Sequence, residues 1–386
     1  MLNFEFYNPT KIIFGKDQIH KIAKEVPVNS KILLVYGGGS IHKNGIYDKV
    51  IDALIGFEVI PFGGVEANPY FETLMKAIEI IKKENINFIL AVGGGSVIDG
   101  VKLIVTAAVY EGDPLDILYR KHRPVKALPF GTVLTLPATG SEMNSGSVVS
   151  IKATQEKLSF GSDVTFPKFS FCDPTVIISL PKRQIQNGVI DAFSHVLEQY
   201  LTYPHGAILQ DKLAESILKT LIEIGPKVME NPQDYELASN FMWSCTMALN
   251  GLISKGVPTD WVTHMIGHEL TALYGIDHAR TLAIIFPSLY RVMFETKKEK
   301  LAQLAKEVFH LSDDNTDILA EKAISELENF FHKMGMLTQV SQNTSEDLSN
   351  LAQTITNRLE SRNMTQMGER QNITLDKVKE IVGLSL

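Results

Sequence analysis

Short apolar runs alternate with amphipathic stretches through the first 180 residues. Lys31–Tyr36, Glu58–Phe62, Phe88–Val92 and Val133–Leu136 are rich in Val, Ile and Leu, and each closes on Gly or Pro. Such runs predict strands buried on both faces of a parallel sheet. Tyr70–Glu84 and Val97–Tyr110 place apolar residues at three- and four-residue steps, predicting helices that cover the sheet. Tyr7–Phe14 and Ser147–Phe160 predict further edge strands or hairpins.

Beyond Leu180-Pro181 the period changes. Val189, Ala192, Phe193, Val196, Leu197, Tyr200 and Leu201 fall at helical spacing, and residues 211–224, 237–252, 260–273 and 301–309 do the same. Strand-like alternation is almost absent there. The pattern predicts an α/β domain over residues 1–180 and an all-helical domain over 181–386, with the boundary near 178–182. The polar stretches 311–316 and 340–347 predict surface loops.

The chain has 386 residues, 37 basic and 44 acidic, for a formal charge of −7. That balance, with no long basic run, argues against nucleic acid or an anionic membrane as a partner. No apolar run approaches the ~20 residues of a membrane-spanning helix. The start, Met1-Leu-Asn-Phe-Glu-Phe-Tyr-Asn8, lacks the basic and apolar regions of a secretory leader. Two cysteines, Cys172 and Cys245, are too few for a disulfide scaffold or a Cys-based zinc site and suit a reducing compartment. A cytoplasmic protein is expected, so the Asn-x-Thr/Ser triplets at Asn343, Asn363 and Asn372 carry no weight.

Two glycine loops follow predicted strands: Gly37-Gly38-Gly39-Ser40 and Gly93-Gly94-Gly95-Ser96. Glycine lets backbone approach a ligand, and the free N–H groups of a following helix attract phosphate; the plainer reading is a tight strand-to-helix turn. Neither loop is a GxGxxG fingerprint, since Ile98 and His42 occupy the third glycine slots, and no Walker A motif occurs. Asp99 in the first turn suits a ribose hydroxyl or simply the helix dipole. After Tyr36 the chain offers Ser40, His42 and Lys43 but no acid until Asp48, which favours NADP(H) over NAD(H).

Of the ten histidines, four stand out with one aspartate. Asp191 and His195 are spaced i, i+4, His264 and His268 repeat that spacing, and His278 follows beyond Tyr274-Gly275. Side chains four apart project from one side of a helix. An Asp/His donor set without cysteine suits Fe(II), Zn(II) or Mn(II). A catalytic site keeps one position open, so five candidates are one too many, and either His264 or His268 is expected to stand outside. The HExxH of a zinc protease is not completed, because Ala272 occupies the second histidine slot.

Gly93-Gly-Gly-Ser-Val-Ile-Asp99, Leu136-Pro-Ala-Thr-Gly-Ser-Glu142, Asp191-xxx-His195 and His264-xxx-His268-x9-His278 together resemble the iron-containing (group III) alcohol dehydrogenases, most closely their NADPH-dependent aldehyde reductase and butanol dehydrogenase branch. The resemblance runs from about Asn8 to Leu375. It implies an N-terminal α/β dinucleotide-binding domain, a C-terminal helical domain, a metal in the cleft between them, and a homodimer. It also implies Asp191, His195, His264 and His278 as ligands of one divalent ion, Fe2+ or Zn2+, with His268 near the nicotinamide as a catalytic group. Gly94, Gly95, Ser96, Asp99, Thr135, Thr139 and Lys157 would lie along the cofactor. Glycine at positions 37–39 with Ser40 after it matches the NADPH-using branch.

The function expected is hydride transfer between NADP(H) and a small aldehyde or primary alcohol, the metal polarising the carbonyl oxygen and His268 relaying a proton. No basic cluster beside the ligands suggests a charged substrate. Met242, Trp243, Trp261, Met265 and Phe286 are candidates for an apolar pocket, though such residues are more often core. The rivals are a dehydroquinate-synthase-like or glycerol-dehydrogenase-like enzyme of the same fold, and a non-catalytic NADP(H)-binding metalloprotein. A dehydroquinate synthase would need several Lys and Arg residues that the helical half lacks beside its ligands.

Overall fold

The computed structural model describes residues 1–386. Strands β1 (Lys11–Phe14), β2 (Lys31–Tyr36), β3 (Glu58–Phe62), β4 (Phe88–Gly94) and β5 (Phe130–Leu136) are followed by an antiparallel hairpin, β6 (Gly146–Ile151) and β7 (Glu156–Gly161), and by β8 (Phe169–Cys172). Apart from the hairpin these form one six-stranded, all-parallel sheet in the order β1-β8-β5-β4-β2-β3. Inner strands β8, β5 and β4 are buried almost throughout, whereas edge strands β1 and β3 reach solvent. A strand covered on both faces has no polar side to present, which explains its continuous apolar run.

Strand β1 lies beside β8 instead of β2, and the chain reverses direction across the sheet between β2 and β4. Strand β2 leads to β3 on one side, β4 leads to β5 on the other, and β2 and β4 are neighbours. Tyr36 pairs with Val92 across them. This sets Gly37–Gly39 and Gly93–Gly95 together at the carboxyl ends of adjacent strands. In open parallel sheets such a reversal opens a crevice for ligands.

Helices α1 (Ile46–Ala53), α2 (Phe71–Glu84) and α3 (Gly95–Ala107) belong to the sheet. The later helices are α4 (Lys182–Tyr200), α5 (Ile208–Glu230), α6 (Tyr235–Ala248), α7 (Val262–Tyr274), α8 (His278–Val292), α9 (Phe294–Glu307), α10 (Thr316–Lys333), α11 (Leu351–Ser361) and α12 (Leu375–Leu384). Two residue pairs, β9 (Gln366–Met367) and β10 (Ile373–Thr374), form a small antiparallel hairpin.

The chain folds into two compact units. The sheet unit comprises residues 7–181 with 232–250, and the helical unit comprises 1–6, 182–231 and 251–386. Helix α6 joins the sheet unit through polar contacts that periodicity does not reveal: Thr246 Oγ1 donates to buried Glu142 Oε1 at 2.6 Å, and Asn144 Nδ2 donates to the Leu249 carbonyl at 3.1 Å. Strand β8 also escaped sequence analysis, because Phe-Ser-Phe-Cys is short and interrupted by a serine. Ser170 is nonetheless satisfied inside the sheet, accepting from Thr132 Oγ1 at 2.7 Å and donating to the Glu142 carbonyl at 2.6 Å.

Helix α4 is the axis of the helical unit, buried continuously from Gly188 to Tyr200. Gly225 lets α5 approach it, since a Cβ there would lie 2.8 Å from Val189 Cγ1.

In the sheet, a Cβ at Gly131 would lie 2.3 Å from the Phe169 ring, which stacks on Phe88 with centroids 6.0 Å apart. Gly131→Ala should therefore destabilise the sheet unit by about 1–3 kcal/mol through overpacking, read from the urea unfolding midpoint.

Candidate metal centre

Helix α4 carries Asp191 and His195, α7 carries His264 and His268, and His278 is the first residue of α8. Ligand atoms of Asp191, His195 and His264, all buried, lie within 4.8 Å of one another. Asp191 Oδ1 is 3.9 Å from His195 Nε2 and 3.7 Å from His278 Nε2. The His264 ring centroid is 4.9 Å from that of His195 and 5.2 Å from that of His278. His268 and His278 both lie outside the group of three: His278 approaches it through Asp191, and the His268 ring is 5.1 Å from that of His278 and 6.3 Å from that of His264.

Asp191 Oδ1 is buried and accepts no hydrogen bond. A carboxylate oxygen left that way is costly unless a cation or proton meets it. One carboxylate and three imidazoles converging on that oxygen fit a divalent ion of the Fe(II) or Zn(II) kind.

Each ligand-bearing element is clamped by polar contacts. Buried Glu198, one turn beyond His195, takes Nδ1 of His264 at 3.0 Å on Oε1, together with the backbone N–H of His264 at 3.1 Å, while Oε2 accepts the N–H of Trp261 at 3.0 Å. Burial, with Asp260 nearby, pushes the Glu198 carboxyl up to about 8. On the other side of α7, buried Glu269 receives Arg358 Nε at 2.5 Å and the Arg362 guanidinium. Ahead of His278, Asp277 Oδ2 accepts Arg183 Nε at 2.7 Å and Asn187 Nδ2 at 2.8 Å. Burial opposes its charge, yet these donors hold the Asp277 carboxyl below its ordinary value.

Of the apolar residues considered for a pocket, Met242 and Phe286 are fully buried core. Trp243 is on the surface of the sheet unit against Phe14, ring centroids 5.9 Å apart. Trp261 stands among the ligands, 5.2 Å from His264 and 6.3 Å from His195, and Met265 is half-buried on α7.

In the sheet unit, Gly38 and Ser40 are exposed, and a Cβ at Gly38 would meet nothing within 4 Å. Gly95 is crowded, since a Cβ would lie 2.4 Å from Thr139 Oγ1. Ser96 Oγ donates to the Ala67 carbonyl at 2.5 Å. Thr135 ends buried in β5, Thr139 lies in the loop that follows, and Lys157 is half-buried in β7. The Asp99 carboxylate is engaged by the protein itself: Ser141 Oγ donates to it at 2.5 Å and the Val148 N–H at 2.9 Å. One turn on, Lys102 is wholly buried, with Nζ donating to Ser141 Oγ at 2.8 Å, Asn144 Oδ1 at 2.9 Å and the Gly146 carbonyl at 2.7 Å. Burial pulls its pKa down to about 8 despite Asp99 and Glu142.

Sequence analysis missed Glu198, Glu269 and Lys102. Glu198 continues the Asp191, His195 stripe at i+7, and Lys102 follows Asp99 at i+3, so helical spacing held a signal for both.

Residues 9–174 match the family described as iron-containing alcohol dehydrogenase, and residues 185–382 match the C-terminal part of the same family. The chain is 47% identical over 384 residues to the NADPH-dependent aldehyde reductase YqhD of Escherichia coli (strain K12), covering 99% of each protein. It is 45% identical over 340 residues to a probable NADH-dependent butanol dehydrogenase of Bacillus subtilis (strain 168), covering 87% of this chain and 88% of that one. Among solved structures, E. coli YqhD superposes with a TM-score of 0.97 at 46% identity, covering 100% of this chain and 99% of that one. NADH-dependent butanol dehydrogenase A of Thermotoga maritima gives 0.94 at 36%, with the same coverage.

Two outcomes follow from this geometry. His195→Ala and His264→Ala should purify without metal, whereas His268→Ala should keep it, by elemental analysis; a metal-free His268→Ala protein would reverse the ligand assignment. For Lys102, the folded pKa lies below the unfolded 10.5, so between pH 8 and 10.5 the unfolded state binds more protons and stability rises with pH. Relative to Lys102→Met, the wild type should gain about 3 kcal/mol across that window, measured by urea unfolding; a flat difference would contradict the shift.

Proposed function

Because the chain belongs to the iron-containing alcohol dehydrogenase family, we propose that it is a metal-dependent oxidoreductase that reduces small neutral aldehydes with NADPH and oxidises primary alcohols with NADP+. The observation that carries this reading is the convergence of Asp191, His195, His264 and His278 around a buried carboxylate oxygen that accepts no hydrogen bond. When bound, the divalent ion, Fe2+ or Zn2+, supplies Lewis acidity, and the dinucleotide supplies or accepts hydride.

The remaining work falls to the chain. Asp191 is the single anionic donor, so the site keeps a positive balance when loaded and favours an oxygen that gains electron density. Glu198 orients the His264 ring. His268, half-buried beside His278, moves the proton that a newly formed alcohol oxygen requires, because imidazole exchanges protons near neutral pH. In the sheet unit, Gly94, Gly95 and Ser96 at the start of α3 offer backbone N–H groups to a pyrophosphate. Gly37, Gly38, Gly39 and Ser40, with exposed His42 and Lys43, receive the 2′-phosphate, and no carboxylate before Asp48 opposes it. Thr135, Thr139 and Lys157 flank the same crevice. Asp99 contributes by holding the loop beneath it.

The NADPH preference is supported by the name of the E. coli relative, although the B. subtilis relative is named for NADH. The domain reading of an NADP(H)-binding α/β part (residues 1–180) and a metal-binding helical part (181–386), a homodimer and a cytoplasmic location belong to the same proposal. The last draws on two buried cysteines, neither of them in a disulfide. No helix is long and apolar enough to cross a membrane.

Oxidation of NADPH with butanal should be rapid, should fall at least about 100-fold after chelation, consistent with the several kcal/mol a Lewis acid contributes, and should return with Fe2+ or Zn2+. Chelator-insensitive turnover would overturn the metal role, and faster turnover with NADH would overturn the cofactor assignment.

A further inference from the structure

His264 is held from behind as well as aimed. Glu198 Oε1 accepts the His264 backbone N–H and Oε2 accepts that of Trp261, so both oxygens already act as acceptors. With Glu198 ionised, the Nδ1 contact at 3.0 Å is a donation from the ring, which leaves Nε2 as the nitrogen with a lone pair for an ion. Trp261, just ahead of α7, has φ of +70°, a left-handed conformation unusual for an aromatic residue. Asp260 beside it is locked on three sides. Its N–H donates to the Glu198 carbonyl at 2.9 Å, its Oδ1 accepts the Val262 N–H at 3.0 Å, and its Oδ2 accepts Lys297 Nζ at 2.5 Å.

Lys297 extends the arrangement. It is buried, and its ammonium also donates to both Glu369 oxygens at 2.8 and 2.9 Å and to the Leu201 carbonyl at 2.8 Å. Burial works against its charge, yet Asp260 and Glu369 hold its pKa above the ordinary value. Leu201 closes the end of α4, Asp260 precedes α7, Lys297 lies on α9, and Glu369 lies between β9 and β10. Four separate segments thus meet at one ammonium.

We propose that Glu198 is a positioning residue that fixes His264 in its Nδ1–H tautomer as an Nε2 ligand, and that the Asp260–Lys297–Glu369 cluster holds the strained start of α7 so that the ligand is presented before an ion arrives. The inference rests on the proposed metal site. Partners of this kind around metal-ligating histidines contribute about 10–100-fold in metal affinity.

The test uses the full chain, stripped by chelator and labelled with 15N at histidine, with Zn2+ alone as the probe. In the wild type, the imidazole nitrogen shifts of His264, assigned by comparison with His264→Asn, should report the Nδ1–H tautomer without metal. An Nε2–H tautomer there would overturn the proposal without recourse to any Glu198 or Glu369 variant. Zn2+ affinity, measured by competition with a chromophoric chelator, should fall about 10–100-fold in Glu198→Gln and less in Glu369→Gln, with a mixed His264 tautomer in the former. If wild type binds Zn2+ and both variants bind it equally well, this inference fails while the metal site stands. If wild type binds no Zn2+, the metal site itself fails and the inference with it.

Discussion

A helix buried on every side that nonetheless carries Asp191, His195 and Glu198 obliges its surroundings to supply donors and charge. A buried carboxyl group without partners is costly, most of all when ionised, and α4 holds two, with Glu198 pushed up to about 8 by its burial. The rest of the helical unit can be understood as the answer to that demand. Helix α7 turns its first N–H groups onto Glu198, α8 starts at His278 so that its ring reaches Asp191, and α9 sends Lys297 inward to Asp260. Removing one partner of such a buried pair costs about 3–5 kcal/mol, so these contacts set where the helices can sit. Asp191 Oδ1 is buried and accepts none of these donors, which is why the proposed function gives that atom to the ion.

The sheet unit meets a different demand. In the proposed function, backbone reaches a dinucleotide at the carboxyl ends of β2 and β4, where the strand order reverses. Side chains would fill that space, so glycines line it. The crowding at Gly95, where Thr139 Oγ1 occupies the space of a Cβ, and the open space at Gly38 show the two uses of the residue: close packing in one loop and room for a guest in the other. Asp99 and Lys102 of α3 fasten that helix to the 141–146 segment through Ser141 and Asn144.

Much of this was legible in the chain itself. The buried strands declared themselves as continuous apolar runs, and β2, β3, β4 and β5 fall where those runs do. Asp191 with His195, and His264 with His268, could be singled out because helices bring i and i+4 together, a purely local relation, whereas the choice of His264 and His278 as proposed ligands came only with the family resemblance. What escaped is non-local. Nothing in the period of residues 235–248 says that Thr246 will bind Glu142 and carry α6 to the sheet unit. Glu369 and Lys297 are far apart in sequence, on different elements, and each reads as a surface charge until the fold encloses both. Strand β8 failed for a related reason: its serine is tolerated only because Thr132 and the Glu142 carbonyl are waiting for it.

The two buried lysines show how partner chemistry, more than depth, decides what a charge can do. Both Lys102 and Lys297 are almost completely removed from solvent. Lys102 donates to a hydroxyl, an amide oxygen and a carbonyl, all neutral, with Asp99 and Glu142 acting only at longer range, and its pKa falls to about 8. Lys297 touches Asp260 and Glu369 directly, and its pKa rises instead. The same side chain is therefore a permanent cation beside the proposed metal site and a titratable one beneath the proposed dinucleotide loops. A permanent cation suits a place where two carboxyl groups, those of Asp260 and Glu369, meet it directly, and it also favours the charged form of Glu198. Where α3 meets the 141–146 segment, neutral hydrogen-bond partners are enough to hold the backbone, and the fit depends on geometry more than on charge.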